Sequence, residues 1–219
     1  MMPVPKHDNY EFARHRMVQQ QLRSRGISDE GVLEVMASMP RELFVPNEQR
    51  YAAYDDHPLL IGAGQTISQP YIVALMTESL RLTPECRVLD VGVGSGYQTA
   101  ILARLAETVY GIERIEPLLD QARRVLAELG IANIELSVGD GSMGWPEHAP
   151  YDRIICGASA PELPAPWALQ LAEGGRIVAP TADGGEMLMA YDKRNGKIIS
   201  QALCPVRFVP LIGKQGWPH

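Results

Sequence analysis

From Arg87 onward the sequence switches repeatedly between short apolar runs and longer amphipathic stretches, and this alternation restricts the fold more than any other feature. "RVLDV", "TVYGIE", "IELSV", "DRIICGA" and "RIVAP" read as strands: brief, rich in β-branched residues and bounded by turn formers. "GYQTAILARLA", "PLLDQARRVLAELG" and "PAPWALQLAEGG" read as the intervening helices, the last two closed by glycines. Strands that alternate with helices join through right-handed crossovers into a parallel sheet. "MLMAYDK" and "KIISQAL" flank Asn195-Gly196, a strong hairpin signal, so the sheet should end in an antiparallel pair. The expected fold is α/β: a doubly wound, mostly parallel Rossmann-like sheet with helices on both faces, a C-terminal antiparallel hairpin and an N-terminal helical extension.

At 219 residues the chain is long enough for one large domain. We read 1–219 as a single unit, with 1–84 an extension packed on a sheet domain at 85–219. Residues 10–25 look helical and end at Gly26. Ser28 should cap a second helix that carries Asp29 and Glu30 in its first turn, and Pro40 should stop it. A long irregular segment follows, containing "GAGQTISQP", a polar knot around a lone Ile67. Irregular segments of that length inside a compact domain are usually functional. "PYIVALMTESLRL" then reads as a helix with Pro70 in its first turn.

Charge and composition remove several classes. Twenty Lys and Arg against 26 Asp and Glu leave a net charge of −6, against a general nucleic-acid binder. Arg14, His15, Arg16, Arg23 and Arg25 cluster, but on a helix they read as a solvated face. No apolar run reaches membrane-span length, and the N-terminus has no apolar segment typical of a leader. Cys86, Cys156 and Cys204 are far apart and in no metal spacing, so they read as reduced, cytoplasmic thiols. Cys156, Trp145 and Trp167 read as packing residues.

"VLDVGVGSGYQTA" sets Gly92, Gly94 and Gly96 around Ser95, between a strand and a helix. Such a loop lets a ligand approach the backbone. It fails the G-x-G-x-x-G dinucleotide spacing and is not followed by Gly-Lys-Ser/Thr. Asp90, two residues before the first glycine, would sit badly beside a pyrophosphate. It suits a ligand bearing an ammonium and a sulfonium, and S-adenosylmethionine is that ligand. Glu113 ends the second strand, where an acid takes both ribose hydroxyls. Asp140, before Gly141 in "GDG", is placed to meet the adenine amino group.

"DVGVGSGY", "GIER" and "VGDG" resemble the motifs of class I S-adenosylmethionine-dependent methyltransferases. "MVQQQL", "PRELFVP", "AYDDHPLLIGAGQTISQPYIVALMTESL" and "RFVPLIGKQGW" resemble the protein-L-isoaspartate O-methyltransferase family almost end to end. That resemblance implies methylation of the α-carboxylate of isoaspartyl residues in aged proteins and peptides, the first step of repair through a succinimide. It implies that Ser68 is the active-site residue and that Gln65 to Ser68 line cofactor and substrate. Gln65, Thr66, Ile67, Asp90, Gly92, Gly94, Ser95, Gly96, Glu113, Arg114, Asp140 and Gly141 would hold the cofactor, with S-adenosyl-L-homocysteine as product. Gly64, Thr66, Ser68 and Asp56 would meet the substrate, although an Asx-Pro turn explains Asp55, Asp56 and His57 equally well. The partners expected are damaged proteins, with no nucleic acid or membrane, and a monomer. Val93 departs from the hydroxyl residue common in the family, and the register of "IGKQGWPH" is too loose to carry contacts.

The chemistry is consistent with what the motifs omit. A carboxylate nucleophile, with a pKa of about 3.5 to 4, is ionised at neutral pH, so no general base is required. The site must align two reactants and exclude water. Ser68 has two readings from spacing: a donor to the substrate carboxylate, or an N-cap for the helix at Gln69-Pro70. A nucleic-acid methyltransferase would share the cofactor motifs. The region after the fourth strand, "CGASAPELP", lacks the Asp/Asn-Pro-Pro-aromatic motif of the N6-amine enzymes. Cys156 also lacks the preceding proline of pyrimidine C5 enzymes.

Overall fold

A computed structural model describes residues 7–218. Most of the segment read for a leader, and His219 of the tail, lie outside them.

The extension begins with α1 (His7–Met17), prolonged by a wider turn at Val18–Leu22 and a tight one at Arg23–Arg25, and closed by Gly26. α2 (Glu30–Ser38) is capped by Asp29, whose carboxylate accepts from the Val32 N–H at 3.0 Å. Ser28 is therefore not the cap. It lies one residue too early, and its N–H and hydroxyl donate instead to Glu78. Arg14 also departs from the solvated face: its Nε donates to the Ala37 carbonyl and its Nη1 to the Tyr54 hydroxyl.

The polar knot is a hairpin. β1 (Leu59–Gly62) pairs antiparallel with β2 (Gln65–Ile67). Ala63 and Gly64 turn between them with φ of 49° and 71°, the paired left-handed geometry of a tight hairpin. Leu59, Ile61 and Ile67 face inward. The strands are too short for period-two alternation to show in the sequence. α3 (Pro70–Leu80) follows.

The sheet domain supplies β3 (Arg87–Val91), α4 (Tyr97–Leu105), β4 (Thr108–Glu113), α5 (Glu116–Glu128), β5 (Ile134–Val138), β6 (Tyr151–Cys156), α6 (Ala165–Gln170), β7 (Leu171–Thr181), β8 (Met187–Arg194) and β9 (Lys197–Pro205). The strand order is β5-β4-β3-β6-β7-β8-β9; the first five run parallel, and β8 and β9 are antiparallel. The expected fold class holds, including the β8–β9 hairpin at Asn195-Gly196. One helix is shorter than expected. "LAEGG" belongs to β7, because the chain turns extended at Leu171 and Lys193 Nζ binds the free carbonyls of Ala168 and Leu171.

Both faces of the central strands β3, β6 and β7 are largely buried, which is why they read as near-continuous apolar runs. Val88, Ile155 and Val178 pack under α3, α4 and the extension, in one core that runs from Met17 to Ala190. Leu89, Ile154 and Ile177 face the other way, toward Trp167 of α6 and Leu211 of the tail. Strand order reverses between β3 and β6, and a crevice opens beyond the carboxyl ends of strands at such a switch point.

Candidate active site

The chain leaves β3 into that crevice through the glycine loop. Gly92 has φ of 83°, and a Cβ added there would meet nothing within 4 Å, so its backbone faces open space. Gly94 N–H donates to Glu113 Oε2 at 3.0 Å, and Ile115 N–H donates to Oε1 at 2.9 Å. The carboxylate of Glu113 is thus fixed in the wall of the crevice, and each oxygen keeps lone-pair capacity for a further donor. Gly96 has a different role. A Cβ there would come within 3.0 Å of Ala122, so this glycine lets α4 pack on α5 and does not face the crevice.

Asp90 lies behind the loop, 1% exposed, and accepts from Thr99 Oγ1 at 2.6 Å. Burial pushes its pKa up to about 7, against the pull of the Thr99 hydrogen bond and with a further push from Glu113. A cation placed nearby would relieve this carboxylate. Asp90, Ser95 and Ile67 line an inner cavity that adjoins the crevice. Gln65, Thr66, Gly92, Gly94, Glu113, Arg114 and Gly141 line the crevice itself.

Asp140 does not face it. Its Oδ1 accepts from the N–H and hydroxyl of Ser142, and its Oδ2 accepts from the Lys214 N–H of the tail at 2.8 Å. Burial pushes this carboxyl up, but those hydrogen bonds outweigh it and leave the pKa below the usual value. Its neighbour Gly141 is in the wall, anchored by Trp167 Nε1 on its carbonyl at 2.9 Å. The tail completes the enclosure: the Ser159 N–H donates to the Val209 carbonyl, the Leu211 N–H and Trp217 Nε1 donate to the Ser159 carbonyl, and Val209 to Ile212 form the far wall. Those tail residues were missed in the sequence reading; the only signal was the apolar run "RFVPLI" after the last strand. Cys156 is buried packing, its thiol pushed up to about 12 mainly by burial.

A groove of about 550 Å³ lies on the other side of the β1–β2 hairpin, between Ser68–Ile72 and Pro205–Val209. Thr66 touches the crevice, the inner cavity and the groove, and Ser68 touches the last two. The cap reading of Ser68 fails. Gln69 is the N-cap of α3 and makes no side-chain cap bond, while the Ser68 hydroxyl has no partner among the described residues. Asp56 and Gly64 are not brought in. Asp56 is exposed, bound to Arg25 at 2.9 Å and Gln69 Nε2 at 2.7 Å, and Gly64 sits at the outer hairpin turn.

Comparison with known proteins identifies the family. The family model described as protein-L-isoaspartate(D-aspartate) O-methyltransferase matches residues 13–216. A protein-L-isoaspartate O-methyltransferase 2 of Pelobacter propionicus is 49% identical, covering 99% of this chain and 97% of the relative. A protein-L-isoaspartate O-methyltransferase of Methanoculleus marisnigri is 51% identical, with 93% of each covered. Among solved structures, a Plasmodium falciparum chain assigned to the same activity, in complex with S-adenosyl-L-homocysteine, superposes with a TM-score of 0.80 at 30% identity, covering 91% of this chain and 98% of that one. The chain therefore belongs to the protein-L-isoaspartate(D-aspartate) O-methyltransferase family.

Proposed function

We propose that the chain transfers a methyl group from S-adenosylmethionine to the α-carboxylate of L-isoaspartyl residues in aged proteins and peptides, with Ser68 as the residue that orients the acceptor. The observation that carries this reading is the meeting of three spaces at Thr66 and Ser68. A methyl group passing from crevice to groove crosses there.

The crevice suits the cofactor. Open space over Gly92, a fixed carboxylate at Glu113 with capacity for two hydroxyl donors, and a buried carboxyl at Asp90 fit a ribose and a cationic sulfur chain. When bound, S-adenosylmethionine supplies an electrophilic methyl on a sulfonium. Glu113 fixes the ribose. Asp90 provides charge of opposite sign to the ammonium and sulfonium, and its own ionisation is favoured in return.

The groove suits the acceptor. Ser68 donates a hydrogen bond to one oxygen of the substrate carboxylate and leaves the other free to react. The N-terminus of α3, directly after Ser68, favours the anion. The carboxylate is already ionised, so no side chain removes a proton. The tail and hairpin exclude water from a reaction that neutralises a cation and an anion.

Three free cysteines and the net charge of −6 support action in the cytoplasm and on protein rather than nucleic acid. Among the described residues no helix is long and apolar enough to cross a membrane. The test is methyl incorporation into an isoaspartyl peptide and its aspartyl twin. A base-labile ester on the first and none on the second is the expected result. Equal labelling of both peptides, or of neither, would refute the reading.

A further inference from the structure

Arg41 is an unusual residue to find in a core. It is 0% exposed, and among the described residues no carboxylate lies within 4 Å of its guanidinium. The neighbouring acid, Glu42, is committed elsewhere: it accepts the Tyr54 hydroxyl and lies 4.0 Å from Arg14 Nη1. Arg41 instead donates to two carbonyls, Ala53 through Nε and Ser68 through Nη2, both at 2.7 Å. Its Nη1 makes no well-aligned hydrogen bond; the guanidinium faces Tyr97, whose hydroxyl interacts with it and whose ring centroid lies 4.8 Å from the guanidinium carbon. Tyr97 opens α4 directly after the glycine loop and lines the inner cavity with Asp90 and Ser68.

A buried, uncompensated cation is a costly way to tie two loops together, because desolvation is repaid only by good polar partners. What this one does that an apolar side chain cannot is orient a peptide unit and set a positive charge behind it. In a planar trans peptide the C=O and the following N–H point in opposite directions. With the Ser68 carbonyl turned inward to Arg41, the Gln69 N–H of the same unit turns outward, on the side of the groove that Ser68 and Gln69 line. A hydrogen bond from a cation to the carbonyl also polarises the unit, making that N–H a better donor.

We propose that Arg41 is a positioning residue for the acceptor: it locks the Ser68–Gln69 peptide unit so that the serine hydroxyl and the Gln69 N–H face the substrate carboxylate, with the guanidinium charge behind them. This rests on the reading of Ser68 given above. The carboxylate loses its charge as the ester forms, so these donors hold the ground state at least as firmly as the transition state. Their loss therefore falls mainly on KM.

The experiment compares wild type, Arg41→Met, Ser68→Ala and the double variant on an isoaspartyl peptide, with cofactor affinity measured by calorimetry. For Arg41→Met, kcat/KM per folded molecule should fall by about 10- to 50-fold, carried mostly in KM, as for loss of a charge-assisted contact. Cofactor affinity should change by less than about twofold, since no atom of Arg41 reaches the crevice. In the Ser68→Ala background the same substitution should cost only a few-fold, because residues that act as one unit are not additive. Arg41→Lys keeps the charge without the fork; it should recover part of the KM and is the variant to use if Arg41→Met does not fold. A loss below about threefold, losses that multiply with Ser68→Ala, or a cofactor affinity that falls in step with kcat/KM would each overturn the proposal and leave Arg41 as a loop tie. An inactive wild type would instead refute the function, and a fully active Ser68→Ala would refute the serine assignment.

Discussion

The two walls that meet at Thr66 differ in charge, and the difference matches the reaction. On the crevice side Glu113, held by two backbone N–H groups, stands beside Arg114, and Asp90 lies buried behind the loop in the adjoining inner cavity. On the groove side no acid lines the wall among the described residues. It offers the Ser68 and Thr66 hydroxyls, a helix N-terminus and the Arg207 side chain, with the Arg41 guanidinium beneath. This balance of charge accords with the proposed division into one half for a cationic cofactor and one for an anionic acceptor. Among the described residues, no histidine or lysine lines either half.

The largest effect should come from placing an acid on the wrong side. Ser68→Asp sets an anion against the acceptor carboxylate, and we expect kcat/KM to fall further than the roughly 10- to 1000-fold loss of Ser68→Ala. Because Ser68 is not the helix cap, neither variant should melt much below wild type; steady-state kinetics together with a melting curve separates the two effects. An aspartate variant with full activity would abolish the proposed charge division.

Removing charge from the crevice should be milder. Glu113→Gln should weaken cofactor binding by about 1–3 kcal/mol, the usual cost of losing a charged hydrogen-bond partner. The KM for peptide should hardly move, and calorimetry beside peptide kinetics checks both. An equal change in the two would mean that the walls are not independent.

Asp90 makes the comparison pH-dependent. Its folded pKa of about 7 lies above the ordinary value of 3.8, so the folded protein holds an extra proton between those limits. Ligand-free stability should therefore decline as pH rises from about 4 through 7. Cofactor affinity should run the other way, rising by up to tenfold per pH unit below about 7, because the cation binds the ionised carboxyl. Asp90→Asn should flatten both profiles and raise the ligand-free melting temperature at pH 8, by about 2–4 °C per kcal/mol recovered. Thermal melts and binding isotherms across pH 6 to 8 measure this, and a pH-independent affinity in the wild type would remove Asp90 from the site.

The smallest effect belongs to Arg207, which is exposed at the groove rim. Arg207→Ala should raise the KM of acidic isoaspartyl peptides by about two- to fivefold at low salt, with the difference fading as salt rises. A salt-independent effect would point to packing rather than charge.

The parts of this account visible in the sequence are those decided locally. β3 and β4 coincide with "RVLDV" and "TVYGIE", whose mostly buried residues make near-continuous apolar runs, and the edge strand β5 coincides with "IELSV" through its β-branched ends and flanking turns. The glycine loop and Glu113 were legible because one turn and one strand end bring them together. The β1–β2 hairpin was hidden, since three or four residues cannot display a period. The contact of Asp140 with the tail could not be read locally, because Lys214 lies 74 residues away. The wall formed by Val209 to Ile212 depends on the tail crossing back over Ser159, and no local pattern encodes that return. Nothing local in the sequence marks Arg41 for burial, which is set by Ala53, Ser68 and Tyr97.

The division of the site into two independent walls is tested most directly by Ser68→Ala, with cofactor affinity and peptide turnover measured on the same preparation. The account predicts a dissociation constant within about twofold of wild type and a kcat/KM lower by about 10- to 1000-fold. Unimpaired turnover, or a cofactor affinity that falls as far as turnover does, would contradict it.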